Sequence, residues 1–205
     1  MFFDVARNDH GLPHNPMKAL VAPRPIGWVT TMSLAGEVNL SPYSFFNYMA
    51  ESPFIVAFSS TGRKHAATFA EETKEFVCNL ATWDLREQMS LTSAPLPRGE
   101  SEVPFAGLTT APSRLIATPR VAETPVALEC RWLQTIRPTT IDGTLTDTYV
   151  TFGQVVGVHI DDRFIVDGLV DTAAMRPITR GGYHDYFVAT PETRFSMRRP
   201  PGGGA

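Results

Sequence analysis

The chain has 205 residues, of which 43% are hydrophobic and 19% are charged, a composition that excludes a disordered chain and is typical of a folded domain. The formal net charge of −3 excludes a broad nucleic-acid-binding face. The longest apolar run, Pro53 to Phe58, is far shorter than the roughly 20 residues of a membrane-spanning helix. We therefore expect neither a nucleic acid nor a membrane as a partner.

The N-terminal segment and the cysteines indicate the cellular compartment. Met1 to Asn15 contain no basic region followed by a long apolar stretch, so we expect no secretory signal. Cys78 and Cys130, the two cysteines, lie in alternating apolar segments. This pattern favours two buried thiols in a reducing compartment over the alternative, a disulfide between strands. The predicted location is the cytoplasm.

The first half of the chain predicts strands followed by a helix. Pro25 to Ser33 and Phe54 to Ser59 are rich in β-branched and apolar residues and indicate two strands. Arg63 to Thr73 carries apolar residues at helical spacing. Ser60 and Thr61 precede this helix and are its candidate N-caps.

From residue 75 onward, period-two alternation dominates. Glu75 to Ala81, Val126 to Leu133 and Tyr149 to Asp161 each alternate apolar residues with others and predict strands. Trp83 to Leu91 predicts a second short helix. The stretch from Ser93 to Pro125 is expected to be irregular.

These elements predict a mainly β fold with about six to seven strands and two or three short helices. A closed or nearly closed barrel hides the edges of so many short strands. We expect a single domain over residues 1–198. Residues 199–205 are rich in Pro and Gly and are predicted to form a disordered tail.

Motifs for several common chemistries are absent from the sequence. It contains no glycine-rich dinucleotide motif after a strand, no P-loop, no G-x-S-x-G, no H-E-x-x-H and no C-x-x-C. The five histidines do not follow metal-ligand spacing. The sequence therefore predicts no metal site and assigns no catalytic triad.

The segment from Ser59 to Lys64 combines hydroxyl groups, a glycine and two cations where a strand runs into a helix. Free backbone N–H groups at a helix start attract anions, and Arg63 and Lys64 add positive charge. A phosphate monoester suits such a pocket. The alternative is an ordinary capped helix whose basic first turn is solvated.

Two further segments, Arg24 to Thr31 and Asn39 to Asn47, mix hydroxyl, amide and aromatic side chains with Gly and Pro. Proteins bind a planar heteroaromatic ring with such a mixture, because apolar groups cover its faces and polar groups meet its edge. The alternative is a strand, a turn and a packed aromatic loop.

The order and spacing of these segments resemble the flavin reductase-like family, whose fold is an FMN-binding split barrel. The resemblance rests on RPIGWVTTMSLAGEVNLSPYSFFN and SPFIVAFSSTGRKHAAT, continues through EFVCNL, PRVAETPVALEC and GQVVGVHIDD, and ends with RPITRGGYHDY. It covers roughly residues 15 to 190. It implies a Greek-key split β-barrel, FMN as the cofactor and NAD(P)H as the hydride donor.

The resemblance also implies a set of flavin-binding residues. Those expected along the ribityl chain, the phosphate or the ring are Trp28, Thr30 and Thr31. Those expected in the loop at the isoalloxazine edge are Tyr43, Ser44, Phe45 and Asn47. Those expected to hold the phosphate are Ser60, Arg63 and Lys64, and Arg180 is expected near the flavin.

The chain departs from the family's pattern directly after Lys64. Where family members usually have an acidic residue, a Ser or Thr and later an Asn, this sequence has His65, Ala66 and Phe69. Losing these capping side chains weakens the expected hold on the phosphate. The departure favours FMN as an exchangeable substrate over FMN as a permanently held group.

Hydride transfer to a flavin depends on orientation and water exclusion more than on acid–base groups. His159 and His184 are the candidate residues on the nicotinamide side. For each, the alternative is a surface or interface histidine with ordinary hydrogen bonds.

Strict alternation places Val155, Gly157 and His159 on one strand face, which should not face water. Because proteins of the resembled family pair with FMN near the interface, we expect a homodimer. The predicted function is a flavin reductase, with a separate monooxygenase as a candidate partner that receives reduced flavin. The alternatives are an FMN-binding electron carrier without nicotinamide turnover and a cofactor-free binding module.

Overall fold

The computed structural model describes residues 1–97 and 99–200, so the predicted tail lies outside the described residues from position 201 onward. The strands are β1 (Arg24–Pro25), β2 (Gly27–Met32), β3 (Val38–Tyr43), β4 (Phe46–Glu51), β5 (Phe54–Thr61), β6 (Glu75–Leu80), β7 (Thr110–Ala111), β8 (Arg120–Val121), β9 (Val126–Ile136), β10 (Thr148–Ile160), β11 (Ile165–Val166), β12 (Leu169–Val170), β13 (Ile178–Arg180) and β14 (Tyr186–Val188). The helices are α1 (Met17–Leu20), α2 (His65–Thr73), α3 (Arg86–Leu91) and α4 (Glu102–Phe105), with 3-10 turns at Asp162–Phe164 and Pro191–Thr193.

Seven strands form one antiparallel sheet in the order β3-β2-β6-β9-β10-β5-β4. The sheet curls into a half-barrel, and a small sheet of β1, β13 and β14 lies beside it. The prediction of a mainly β split barrel is therefore confirmed.

The predicted elements recur with shifted ends. The two predicted helices begin later than expected, at His65 and Arg86. The loop expected to carry Tyr43, Ser44, Phe45 and Asn47 is shorter than predicted, because Tyr43 ends β3 and Asn47 lies in β4. The stretch from Ser93 to Pro125, expected to be irregular, contains α4 and the short pair β7–β8.

The interior of the barrel is packed with aromatic side chains and closed by helix α2. Phe58 lies against Tyr43 and Phe76, with ring centroids 4.9 and 5.5 Å apart. Ala66 and Ala70 of α2 are buried in the same cluster. The small side chains let the helix approach the sheet closely, which fixes where its N-terminus points.

Both cysteines are buried in this interior as free thiols, as predicted. Burial, reinforced by a hydrogen bond with Cys78, raises the pKa of the Cys130 thiol well above its usual value. A thiol that stays protonated and inaccessible is a packing group rather than a nucleophile.

A second core lies on the opposite face of the sheet, around Trp28 and Leu40. Helices α3 and α4 contribute Met89 and Val103 to it, and Ile178 of β13 completes it. This core attaches the small sheet to the barrel, and it positions the turn after β13 next to the ends of β3 and β5.

Strand β10 contains two register shifts against β9, between Phe152 and Gly153 and between Val155 and Gly157. They make the predicted face wrong: Val155 pairs with Cys130 and packs toward the barrel interior, whereas Gly157 pairs with Glu129 on the other side. A β-bulge inserts an extra residue, so strict alternation does not continue across it.

The face of Glu129 is covered by the segment from residue 113 to residue 121 of the same chain. The Glu129 carboxylate accepts hydrogen bonds from the backbone N–H groups of Arg114 and Leu115, each at 2.7 Å. Asn79 Oδ1 accepts from the N–H of Val121 at 2.9 Å. The chain itself therefore covers the surface that alternation assigned to a second subunit.

Candidate functional site

A cleft of about 370 Å³, here called the Lys64 cleft, opens where β5 runs into helix α2. It brings together six of the residues expected from the sequence, which are Tyr43, Ser44, Phe45, Ser60, Lys64 and Arg180. Three distant parts of the chain form its walls: the ends of β3 and β5, the segment before β1 and the turn after β13.

The Lys64 cleft is strongly positive. Lys18, Arg24, Lys64 and Arg180 line it, and no acidic side chain does so among the described lining residues. The ammonium groups of Lys18 and Lys64 have no hydrogen-bond or ion-pair partner within the described part of the chain. Four neighbouring positive charges repel one another, and an anion bound between them would offset this repulsion.

Arg24 is the structural anchor of this cleft. Its side chain is buried, and its guanidinium donates to the carbonyl oxygens of Lys18 (2.5 Å), Val21 and Gly181 (2.8 Å). Its Nε is buried without a hydrogen-bond partner in the described structure. Arg24 thus ties the segment around α1 and the turn after β13 to the sheet.

The start of helix α2 faces this cleft without a side-chain cap. Lys64 occupies the N-cap position, and no described side chain accepts a hydrogen bond from the first turn. Ser60 instead donates to the carbonyl oxygen of Gly62 at 2.8 Å, so the prediction that Ser60 and Thr61 cap the helix is wrong. Gly62 has φ +76°, a left-handed conformation that glycine adopts readily and that turns the chain into the helix.

Next to the Lys64 cleft lies an apolar cleft of about 350 Å³. The two clefts share Arg24, Ser44, Phe45 and Ser59. The apolar cleft is lined by the hydrophobic residues Val21, Pro23, Pro25, Phe46, Met49, Ala57, Phe58 and Val150. A charged end and an apolar end in continuity suit a ligand that carries an anionic group on a flat hydrophobic body.

Tyr43 contributes a neutral hydrogen-bond donor to the wall of the Lys64 cleft. Burial raises its pKa to about 12; a hydrogen bond with Ser41 opposes this rise, and the Glu102 carboxylate adds to it. The hydroxyl therefore keeps its proton at neutral pH.

Three residues expected along the flavin lie outside both clefts. Trp28, Thr30 and Thr31 are wholly buried and do not line either cleft. Trp28 Nε1 donates to Thr92 Oγ1 at 2.9 Å, and Thr30 Oγ1 accepts from Asn79 Nδ2 at 2.7 Å. Their side chains serve the packing behind the site.

Two other predicted residues lie beside the Lys64 cleft rather than in it. Arg63 pairs with Glu71 of helix α2, with Nη2 and Oε2 2.6 Å apart, and its side chain is half exposed. Asn47 lines the apolar cleft, where its Oδ1 accepts from the N–H of Tyr48. Lys64 thus remains as the cation of this segment that reaches the cleft.

The two candidate histidines lie in different parts of the structure. His184 is exposed in the turn between β13 and β14, next to Tyr183, which lines the Lys64 cleft. His159 lies elsewhere, with Nε2 2.5 Å from the buried Glu129 carboxylate. The position of His159 therefore does not fit the nicotinamide side of the Lys64 cleft within one chain.

The sequence-based site missed Lys18, Arg24 and Tyr183 as lining residues. Arg24 stands in a segment already noted for its composition, but nothing local distinguishes its role. Lys18 and Tyr183 lie 46 and 119 residues from Lys64 along the chain, and tertiary packing, which no local pattern signals, brings them to the cleft.

Comparison with known proteins identifies the family. The family described as "Flavin reductase like domain" matches residues 19–173. This chain belongs to the flavin reductase-like family. An uncharacterized protein of Halalkalibacterium halodurans is 37% identical to this flavin reductase-like protein over 186 residues, which cover 88% of this chain and 87% of the relative.

Two solved structures are similar to this flavin reductase-like protein over almost their whole length. Nitrilotriacetate monooxygenase component B from Bacillus cereus has a TM-score of 0.86 and 26% identity, covering 96% of this chain and 98% of that one. The 2-nitrobenzoate 2-nitroreductase of Pseudomonas fluorescens has a TM-score of 0.84 and 25% identity, covering 100% and 99%.

The helices of the described ranges are all too short or too polar to cross a membrane.

Proposed function

We propose that this protein is an NAD(P)H-dependent flavin reductase that binds FMN across the Lys64 cleft and the apolar cleft. The observation that carries the proposal is a cleft with four cationic side chains and no described carboxylate, continuous with a hydrophobic one. Family membership supports flavin as the ligand.

The residues present fit the two ends of FMN. A phosphate monoester carries about −1.5 to −2 charges, which matches unpaired lysines and an uncapped helix start. The apolar cleft offers Phe45 and Met49, both about half exposed, as cover for a planar ring. This fit argues against the alternative of a cofactor-free binding module.

In the proposed reaction, this chain binds, orients and excludes water. FMN, when bound, supplies a ring that accepts a hydride from NAD(P)H. Lys64 and Arg180 hold the anionic end, and Tyr43 keeps its O–H as a hydrogen-bond donor. Apolar side chains such as Phe45 keep water from the reacting face. The proposed step requires no triad or metal.

The apolar cleft also supports a homodimer. Strand β4 is an edge of the seven-stranded sheet; its side chains Tyr48 and Met49 are 50% and 52% exposed, and Phe54, which follows at the start of β5, is 48% exposed. Exposed apolar residues on an edge strand favour association with another surface. Light scattering should give a dimer that Phe54→Lys weakens, and a stable monomer with full FMN affinity would contradict the proposal.

The decisive experiment measures NADH and NADPH oxidation by purified protein with FMN, FAD or riboflavin added. Oxidation that depends on FMN supports the reductase. FMN binding without nicotinamide oxidation would instead favour an electron carrier. Absence of any FMN affinity, in oxidised and reduced states alike, would refute the proposal.

We further propose that the reduced flavin leaves for a separate monooxygenase. The similar Bacillus cereus structure is a component of a monooxygenase. The exposure of the Lys64 side chain, which leaves the phosphate end of the cleft open to solvent, also favours FMN that exchanges. Gel filtration of the FMN complex should separate flavin from protein, and flavin retained through repeated passes would contradict exchange.

The cytoplasmic location stays a prediction that rests on the sequence. Fractionation of cells that express the protein with a C-terminal tag tests it, because recovery outside the cytoplasmic fraction would contradict it.

A further inference from the structure

A third cleft, of about 480 Å³, lies near the end of strand β10, apart from the two clefts of the proposed flavin site, and is here called the His159 cleft. Thr148, at the start of β10, pairs with Thr61 beside the Lys64 cleft. His159 follows 11 residues later, roughly 35 Å away along an extended strand at about 3.3 Å per residue. The Lys64 cleft and the His159 cleft therefore lie toward opposite ends of the same strand.

Two arginines line the His159 cleft without carboxylate partners. The Arg114 side chain is exposed and has no hydrogen-bond or ion-pair partner within the described part of the chain. Arg120 makes one long contact, from Nη1 to the carbonyl oxygen of Val121 at 3.5 Å, and its Nε is buried without a described partner. A buried donor without a partner costs free energy unless something else satisfies it.

Two acidic side chains also line this cleft, but one of them is already paired. Asp161 is already paired with Arg163, with Oδ2 and Nη2 2.5 Å apart. Asp162 is exposed, and it is the one carboxylate of the described lining that has no partner. Of the charged groups in the described lining that have no ion-pair partner, two are cationic, Arg114 and Arg120, and one is anionic, Asp162.

The buried Glu129 carboxylate fixes the wall of the cleft. It is 0% exposed and accepts from Arg114 N–H, Leu115 N–H and His159 Nε2. It therefore holds in place both the backbone of Arg114 and the imidazole of His159. Because Nε2 faces Glu129, Nδ1 is the ring nitrogen left for a ligand.

Gly157 makes room for this arrangement. A Cβ at position 157 would lie 3.3 Å from the carboxyl carbon of Glu129, closer than ordinary packing. The β-bulge at Val155 and Gly157 sets this glycine opposite Glu129. A buried carboxylate is costly unless its hydrogen bonds are complete, and here they are complete at the edge of an open cleft.

We propose that the His159 cleft binds a small organic anion, independently of the flavin site. Arginine forks match carboxylate and phosphate oxygens, so Arg114 and Arg120 would hold the anionic group. Pro125 and Val158 form an apolar wall against which the body of the molecule packs. The volume exceeds that of the Lys64 cleft and accommodates more than an inorganic ion.

The test uses benzoate and phenyl phosphate as anionic probes and benzamide as a neutral one, with calorimetry or NMR titration on the full chain. Benzoate, phenyl phosphate or both should bind, and benzamide should bind at least about tenfold more weakly. Arg114→Gln and Arg120→Gln should each weaken the bound anion about tenfold, whereas the exposed Arg7→Gln, which lines neither cleft, should not. The better-bound anion identifies carboxylate or phosphate as the preferred group.

Three results would overturn the inference: no binding of either anion, binding that both arginine variants leave unchanged, or binding lost in Lys64→Gln but not in Arg120→Gln. The last would place the anion in the Lys64 cleft. Because Arg114 is exposed, its variant should fold even where Arg120→Gln does not. FMN affinity measured on the same samples separates failure of this inference from failure of the flavin proposal.

Discussion

The Lys64 cleft and the buried Glu129 site differ in whether their charged groups have hydrogen-bond partners. At the first, the side chains of Lys18 and Lys64 project into a cleft without a described partner. At the second, a carboxylate with 0% exposure is satisfied by two backbone N–H groups and one imidazole. A charge with complete partners stabilises the fold, whereas a charge without partners is available to a ligand. Substitutions at the two sites should therefore separate stability from affinity.

The largest effect is expected for Glu129→Ala. The change leaves the N–H groups of Arg114 and Leu115 without their acceptor and removes the partner of His159. Breaking a buried charged network costs about 3–5 kcal/mol, so urea denaturation should show an unfolding free energy lower by that amount. Glu71→Ala, which removes an exposed ion pair with Arg63, should cost less than about 1 kcal/mol. Equal losses in both variants would contradict the assignment.

Charge reversal at the other site should affect affinity and leave stability unchanged. Lys64→Glu should weaken FMN about 10–100-fold and riboflavin much less, because only FMN carries the phosphate. Fluorescence titration of both flavins measures the difference. Arg63→Gln is the matched control, since Arg63 is already paired with Glu71. If riboflavin and FMN weaken equally, the phosphate does not lie at Lys64.

A smaller effect on stability is expected inside the barrel. Gly153→Ala would set a Cβ 2.3 Å from the Phe76 ring and should cost about 1–3 kcal/mol through overpacking. Gly157→Ala, where the nearest atoms are 3.3 Å away, should cost less. Phe76→Leu should rescue part of the Gly153→Ala loss in a double-mutant cycle. A loss that is simply additive would show that the ring contact is not the cause.

The smallest expected effect is a loss of stability at low pH. Burial acts to raise the pKa of Glu129, but hydrogen bonds from Arg114, His159 and Leu115 outweigh it and lower the pKa below its ordinary value of 4.5. The folded state therefore binds this proton less readily than the unfolded state does. Its contribution is complete above pH 4.5 and is lost as the pH falls through the lowered pKa, with a slope of at most about 1.4 kcal/mol per pH unit. When the unfolding free energy is measured at a series of pH values, it should fall less steeply at acidic pH in Glu129→Gln than in the unchanged protein. Equal slopes would show that this carboxylate does not cause the acid dependence.

The sheet could be predicted because its side chains follow a period of two. Strands β6 and β9 appear within a few residues of their predicted positions. The faces of β10 could not be predicted, because a bulge depends on the partner strand rather than on the local sequence. Glu129 lies at a polar position of the alternating segment Val126 to Leu133, and its burial depends on the segment around Arg114 folding over it.

The candidate site was predictable only in its local parts. Tyr43, Ser44 and Lys64 stand out because hydroxyl, aromatic and basic residues occur together in short segments. Lys18 reaches the same cleft through tertiary packing. Arg63 carries the same local signal as Lys64, but the carboxylate of Glu71 on the next turns of the helix draws it away.

A ligand bound in the Lys64 cleft should change the hydrogen bonding of the amides at the open N-terminus of helix α2. Within residues 1–97 and 99–200, Lys64 is the N-cap and no side chain accepts from the first turn, so the amide protons of His65 to Ala67 depend on solvent or on a ligand in the cleft. A bound oxyanion would complete the missing turn of hydrogen bonds. Slowed deuterium uptake confined to those amides would then report binding at the phosphate end, separately from any colour change of the flavin.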